Sequence, residues 1–183
     1  MSERTRQRWT WIGITLLVAM LVHLGTLYAI PRMVMRRVLR RMGTPNEIHI
    51  GGRPRAGRKG IARPSPDMLY ASCPFDLSSG PLLVTAHVPH STYWSVSAFD
   101  SATNNFFVRN DRQVIGDSFE VVLMRHGQTQ PPVTAPEHAI VFAPTTRGVV
   151  LFRTVIDDEK NLPALAALLH QDHCETVPPA VPQ

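Results

Sequence analysis

Residues 119–138, FEVVLMRHGQTQPPVTAPEH, decide between two folds. The opening FEVVLM is a short apolar run that reads as a strand, and it delivers Arg125-His126-Gly127 at its end. A helix after that tripeptide would indicate a parallel α/β sheet, with a histidine placed to accept a phosphoryl group and an arginine placed to grip it. The chain instead continues as QTQPPVTAPEH, in which Pro131, Pro132 and Pro136 remove backbone donors and clash with any preceding turn, so no helix forms there. On a β reading, Arg125-His126-Gly127 is the polar end of a strand, and Gly127 supplies the bend.

The neighbouring sequence agrees with the β reading. MLYASCPF, PLLVTAHV, TYWSVSAF, NNFFVRND, SFEVVLMR, HAIVFAP and GVVLFRTVI are short runs of β-branched and aromatic residues. Ser78-Ser79-Gly80, Asn104-Asn105 and Gly116-Asp117 supply turn chemistry between them. In residues 92–100, Trp94, Val96 and Ala98 alternate with Tyr93, Ser95 and Ser97, the period of a half-buried strand. Seven such runs with short connections predict a mainly β domain, an antiparallel sandwich or barrel, rather than strand–helix units. One C-terminal helix is expected in NLPALAALLHQ, with Asn161 as N-cap, Pro163 in its first turn and Leu165, Leu168 and Leu169 on one face. The last residues, 173–183, are rich in proline and are expected to be a disordered tail.

Upstream the composition changes. Residues 1–63 hold 13 of the 19 Lys+Arg residues and only Glu3 and Glu47 as acids, a local net of +11; residues 64–183 carry a net of −6. The basic excess surrounds an apolar run, Trp9 to Ile30, which contains no charged side chain. Charge confined to that neighbourhood suits anionic lipid rather than nucleic acid. The run's 22 residues make a helix of about 33 Å, enough to cross a hydrocarbon core of about 30 Å. Trp9, Trp11 and Tyr28 stand where interfacial anchors belong, and His23 in mid-span has no visible partner. Its length and the AIPRM exit favour an uncleaved anchor over a signal peptide.

The expected organisation is a basic tail (1–8), a transmembrane helix (9–30), a short amphipathic helix (31–45), a β-rich domain (46–172) and the tail (173–183). Pro31 marks the exit from the span. Beyond it, Val34, Met35, Val38, Leu39 and Met42 form an apolar stripe opposite Arg32, Arg36, Arg37, Arg40 and Arg41. Beside a span, that helix is expected to lie in the headgroup layer with its arginines on lipid phosphates, the alternative being a helix docked on the protein's own domain. Gly and Pro in GGRPRAGRKGIARPSP, 51–66, mark a linker. The arginine count after the span points to a cytoplasmic domain by the positive-inside rule.

Candidate chemistry is sparse. The histidine phosphatases, whose signature Arg125-His126-Gly127 resembles, need a second histidine and an α/β scaffold that this chain lacks, so that reading is rejected. His87-x-x-His90 and His170-x-x-His173-Cys174 supply imidazoles and a thiol without a metal-site geometry, and no metal or cofactor is expected. Tyr70, Asp76, Tyr93, Trp94, Asp100 and Asn104 are candidates for a pocket or rim at the mouth of the β-domain, with turn structure as the plainer role of the acids. Cys73 and Cys174 are either two separate thiols or, in an oxidising compartment, a bridge closing a long loop. No nucleotide fingerprint and no Ser-His-Asp order appears.

Pro66-Asp67-Met68-Leu69-Tyr70, Phe75-Asp76-Leu77 with Ser79-Gly80-Pro81, Val88-Pro89, Tyr93-Trp94-Ser95 and the Asp100…Thr103-Asn104 turn resemble the bacterial domain-of-unknown-function family 1254. The resemblance continues to VVLFRTVIDDEKNLPALAALLHQ and covers about residues 46–172. It implies an exported, envelope-associated β-rich domain, often beside or fused to a second such family, numbered 1214. The chain ends before such a domain fits, so a separate partner chain carrying it is expected. The resemblance transfers no catalytic residues. It draws the expected location to the periplasmic side of a bacterial inner membrane, against the arginine count. The role it leaves is a binding or assembly module, the alternative being an enzyme completed by a partner chain.

Overall fold

The computed structural model describes residues 2–54, 64–132 and 138–177. A long helix, α1 (Glu3–Leu39), leads into nine strands and one further helix. These are β1 (His49–Gly52), β2 (Met68–Asp76), β3 (Leu82–His87), β4 (Trp94–Asp100), β5 (Asn105–Asn110), β6 (Ser118–Met124), β7 (His138–Phe142), β8 (Arg147–Val155), α2 (Leu162–Leu169) and β9 (His173–Thr176). They form two sheets, ordered β1-β2-β8-β4-β5 and β7-β6-β3-β9. The domain is therefore a mainly β sandwich.

Register explains the core. Leu69, Ala71, Cys73 and Phe75 on β2 share a face with Trp94, Val96 and Ala98 on β4 through their common partner β8, whose Val150 and Phe152 lie between them. Leu82, Val84 and Ala86 on β3 pair with Leu123, Val121 and Phe119 on β6, and both sets belong to one buried cluster. Phe107 of β5 stacks on Phe119 of β6 at 6.4 Å, closing the sandwich along that side. Gly148 on β8 lies between Phe75 and Phe99 because a Cβ there would sit 2.1 Å from the Phe99 carbonyl oxygen. The interior is thus filled by side chains, among them Trp94, Phe75 and Phe152, each under 2% exposed.

Four features differ from the sequence reading. First, α1 runs unbroken through Pro31, so the expected separate helix over 31–45 is the last part of the same rod and ends at Leu39. The proline deletes one ladder bond, the one to the Leu27 carbonyl, and beside it the Arg32 guanidinium donates to the Tyr28 carbonyl at 2.8 Å and lies 3.6 Å over the Tyr28 ring. Met35 is buried, Val38, Leu39 and Met42 are half-buried, and the end of α1 lies beside β8. Most of the apolar stripe, Met35, Val38, Leu39 and Met42, therefore faces the protein's own domain, while Val34 and the arginines Arg36, Arg37, Arg40 and Arg41 remain exposed.

Second, β4 is buried on both faces: Ser95 and Ser97 are fully covered as well as Trp94 and Val96. Arg153 stands opposite Ser95 in register and donates to the Ser97 hydroxyl at 3.2 Å, laying its long side chain over the outer face. Third, β6 and β7 pair in parallel, so the proline-rich segment after Met124 carries the chain back along the sandwich. Pro131 in that connection is fully buried, a covering role that needs no backbone donor. Fourth, residues 173–176, expected as tail, form β9 and pair with Leu82–Thr85 of β3. Val177 follows β9 and donates its amide to the Pro81 carbonyl, while residues 178–183 of the expected tail and most of the expected linker, residues 55–63, lie outside the described residues.

One residue fastens α1 to the sandwich. Asn46, at a φ of 62° that asparagine tolerates, donates its side-chain amide to the Asp76 carbonyl and the Thr176 hydroxyl and accepts from the Asp76 amide at 2.8 Å. It ties the α1–β1 connection to both sheets.

Candidate functional site

The six residues expected at a common rim occupy opposite ends of the sandwich. Asp76 and Asp100 finish β2 and β4 beside the first residues of β8, whereas Tyr70 and Trp94 lie at the other end of the same strands. Six strand residues separate Tyr70 from Asp76, about 20 Å. With a filled interior between the two ends, each group must be read separately.

At the first end the acids hold turns. Asp100 accepts from the amides of Ala102 and Asn104 and from the Asn104 side chain, all at 2.8–2.9 Å. Asp76 accepts from the Ser78 amide and from Arg147 Nε at 2.7 Å. Burial raises the Asp76 carboxyl, but the Ser78 bonds and Arg147 outweigh it and leave it below the usual carboxylate value. Arg125-His126-Gly127 forms a tight turn with Gly127 at a φ of +89°. Gln128 closes it, accepting from the Arg125 amide at 2.7 Å and donating to the Leu77 carbonyl. The Arg125 guanidinium donates to the Thr146 hydroxyl, and His126 lies flat on Phe142 with centroids 4.4 Å apart. Both signature side chains are thus engaged locally, as parts of a turn.

The second end holds the more unusual chemistry. Tyr70 accepts from the Ser65 amide, Tyr93 is largely exposed, and Trp94 is buried with its Nε1 unpartnered among the described residues. Val88, Pro89, His90, Ser91 and Thr92 of the loop between β3 and β4, with Asp111 after β5, line a shallow hollow of about 320 Å³. His90 Nε2 contacts Asp117 at 2.6 Å on the surface. Behind the loop, Asp172 is 3% exposed, and its Oδ1 accepts from the His87 amide at 2.6 Å and faces His87 Nδ1 at 3.2 Å. Its Oδ2 is buried without a partner among the described residues. Burial pushes the Asp172 carboxyl up to about 7, against the pull of the His87 amide. Burial also lowers His87, with the nearby His173 adding to the shift.

Of the two histidine pairs only His87 and His173 come near each other, and among the described residues they assemble no metal site. His87 is engaged by Asp172, His90 by Asp117, and His173 by the Gln171 carbonyl at 3.2 Å. Cys174 is joined to Cys73 in a disulfide spanning the two sheets, so no thiolate is on offer. Among the described residues no group of three metal-ligating side chains forms.

A family model described as "Protein of unknown function (DUF1254)" matches residues 45–176. The chain belongs to that family. The match spans every strand of the sandwich and includes both Asn46 and Asp172. No curated protein matches. Among solved structures, the VPA0106 protein from Vibrio parahaemolyticus superposes with a TM-score of 0.65 at 12% identity, covering 83% of this chain and 35% of that one. An uncharacterised protein from Burkholderia cenocepacia gives 0.51 at 17% identity, covering 88% of this chain and 44% of that one. At these identities the likeness is one of fold. The chain spans less than half the length of either.

Asp172 is the residue that sequence reasoning missed. It sits in HQDHC between α2 and β9, and with β9 unrecognised that stretch reads as the start of a tail. Its signal is an acid flanked by two histidines next to a cysteine, but only the pairing of β9 with β3 brings that stretch against His87.

Proposed function

We propose that this DUF1254 chain is a membrane-anchored envelope protein whose sandwich serves as a binding or assembly module for a second envelope chain. The observation that carries the reading is the packed interior, in which Trp94, Phe75 and Phe152 are each under 2% exposed and leave the outer surface for recognition. The dispersal of the candidate rim also favours surface contact over a buried reaction centre. The partner in this reading carries the companion domain that the family resemblance implies.

The anchor is α1, long and apolar enough to cross a membrane, with none of its most apolar window buried in the protein. If Trp9 to Ile30 occupy the bilayer, a straight rod puts the Arg36 and Arg37 backbone about 9 Å beyond the hydrocarbon edge, within side-chain reach of lipid phosphates. Arg32 lies closer and Arg40 and Arg41 lie farther out, so anionic headgroups meet this arginine face from the side of α1 opposite Met35. A periplasmic location is favoured by the buried disulfide, since such bonds persist in oxidising compartments.

Two experiments test this. A C-terminal reporter active only in an oxidising compartment gives signal on the periplasmic reading and none if the domain is cytoplasmic. Purification from native membranes in mild detergent, followed by intact-complex mass measurement, yields a second chain at fixed stoichiometry. A mass equal to the chain alone would sink the assembly role.

A further inference from the structure

Asp172 occupies an expensive position for a carboxyl group. It is almost wholly buried, one oxygen serves the His87 amide and imidazole, and the other has no partner among the described residues. An ionised carboxylate with one oxygen unserved in such a place is strongly disfavoured, whereas a neutral acid or a shared proton is tolerated. The residue also stands at a junction. It immediately precedes β9 and comes after the turn that ends α2, the helix whose Leu165 and Leu169 belong to the core. Its bond to His87 holds the junction to the end of β3 beyond the last β9–β3 pair at Thr85, alongside the packing of Leu165 and Leu169. Cys174, two residues on, is held covalently to β2 whatever the junction does.

We propose that Asp172 and His87 form a proton-operated latch: one proton held by the pair fastens the α2–β9 junction to the end of β3, and its loss frees α2 while the disulfide keeps β9 in place. Other charges near the pair are His173 on β9, Glu120 on β6 two positions beyond Ser118, the cross-strand partner of His87, the His90–Asp117 pair in the adjoining loops, and His170 at the end of α2. His173 disfavours a charged His87, which keeps the proton with the carboxyl.

The sign is set by where each group titrates. With the latch closed the Asp172 carboxyl stays protonated up to about 7, whereas an opened, solvated one ionises near its ordinary value of 3.8. Opening therefore releases a proton between those limits, and the closed state weakens as pH rises through them, levelling off beyond 7. His87 acts oppositely: its lowered value means that opening takes up a proton below 6.5, which offsets part of the slope over the lower part of the range.

The test is hydrogen exchange on the full chain in detergent micelles from pH 4.5 to 8, with rates corrected for intrinsic base catalysis. The latch predicts that protection of the α2 amides and the His87 amide falls by up to tenfold per pH unit toward pH 7 and then levels, while Cys174 stays protected. In Asp172→Asn the decline disappears, and the His87 contribution makes protection rise toward pH 6.5. A flat wild-type profile, or the same decline in the variant, overturns the proposal. Should the variant not fold, carbon-13 titration of the wild-type Asp172 carboxyl decides: a midpoint near 7 supports the latch and one near 4 refutes it.

Discussion

Reducing the disulfide between Cys73 and Cys174 should cost this domain a large part of its stability. The bond links β2 in one sheet to β9 in the other and joins positions 101 apart in sequence. Closing a loop of that length removes chain entropy worth about 4.7 kcal/mol from the unfolded state in the loop-closure model. Domains of this size have total stabilities of about 5–15 kcal/mol, so the reduced form is left near the margin. The perturbation also has a structural focus: β9 is only four residues long and lies at a sheet edge, joined to the opposite sheet by the covalent bond and by the Asn46 bridge between Thr176 and Asp76. Urea unfolding of the detergent-solubilised chain, followed by tryptophan fluorescence from Trp94, should move to a lower midpoint by about 2 M on reduction, given slopes of about 1–3 kcal/mol per molar. A Cys73→Ala/Cys174→Ala variant should show at least that loss and become insensitive to reductant. Midpoints for oxidised and reduced protein that agree within about 0.5 M would refute the reasoning, because they would mean that the sheets hold together without the bridge.

Gly148→Ala should be among the most damaging single substitutions. Its Cβ would meet the Phe99 carbonyl oxygen at 2.1 Å and the Phe75 ring at 2.5 Å, so β4 and β8 must part or Phe75 must leave the core; thermal unfolding should report a loss of at least about 3 kcal/mol. Asp76, held below the usual carboxylate value in the folded state, contributes stability that is present above 3.8 and lost as pH falls through its lowered folded value. Melting curves below pH 4 should therefore show a steeper acid loss in wild type than in Asp76→Asn, and identical acid slopes would contradict the Asp76–Arg147 and Ser78 contacts.

How much of the fold is legible in the sequence depends on the range of the forces involved. All seven strands read from alternation and turn residues are present, because a two-residue period and flanking Gly, Asn and Asp are local signals. β1 and β9 carry no such signal: HIGG has two glycines and HCET no apolar period, and each becomes a strand only by pairing with a neighbour already placed. The parallel pairing of β7 is equally non-local, since an antiparallel hairpin and a long return differ only in where the proline-rich connection goes. At Pro31 the local rule fails because a single missing ladder bond, to the Leu27 carbonyl, is small beside the rest of a 37-residue helix whose far part docks through Met35. The tripeptide Arg125-His126-Gly127 is a strand end entering a turn, as its sequence context indicates, because the prolines after it exclude a helix whatever the tertiary context. The candidate rim is not readable as one site: Asp76 and Tyr70 are close in sequence, but a strand carries them to opposite ends. Asp172 escapes sequence reasoning for the same reason as β9.

If the sandwich is an assembly surface on a membrane anchor, the mass of the intact particle extracted from native membranes reveals it. The expected particle is a complex of fixed stoichiometry containing this chain and a second chain, retained when the sample is diluted in mild detergent. A particle with the mass of this chain alone, under conditions where α1 is still embedded and the disulfide intact, would contradict the assembly role.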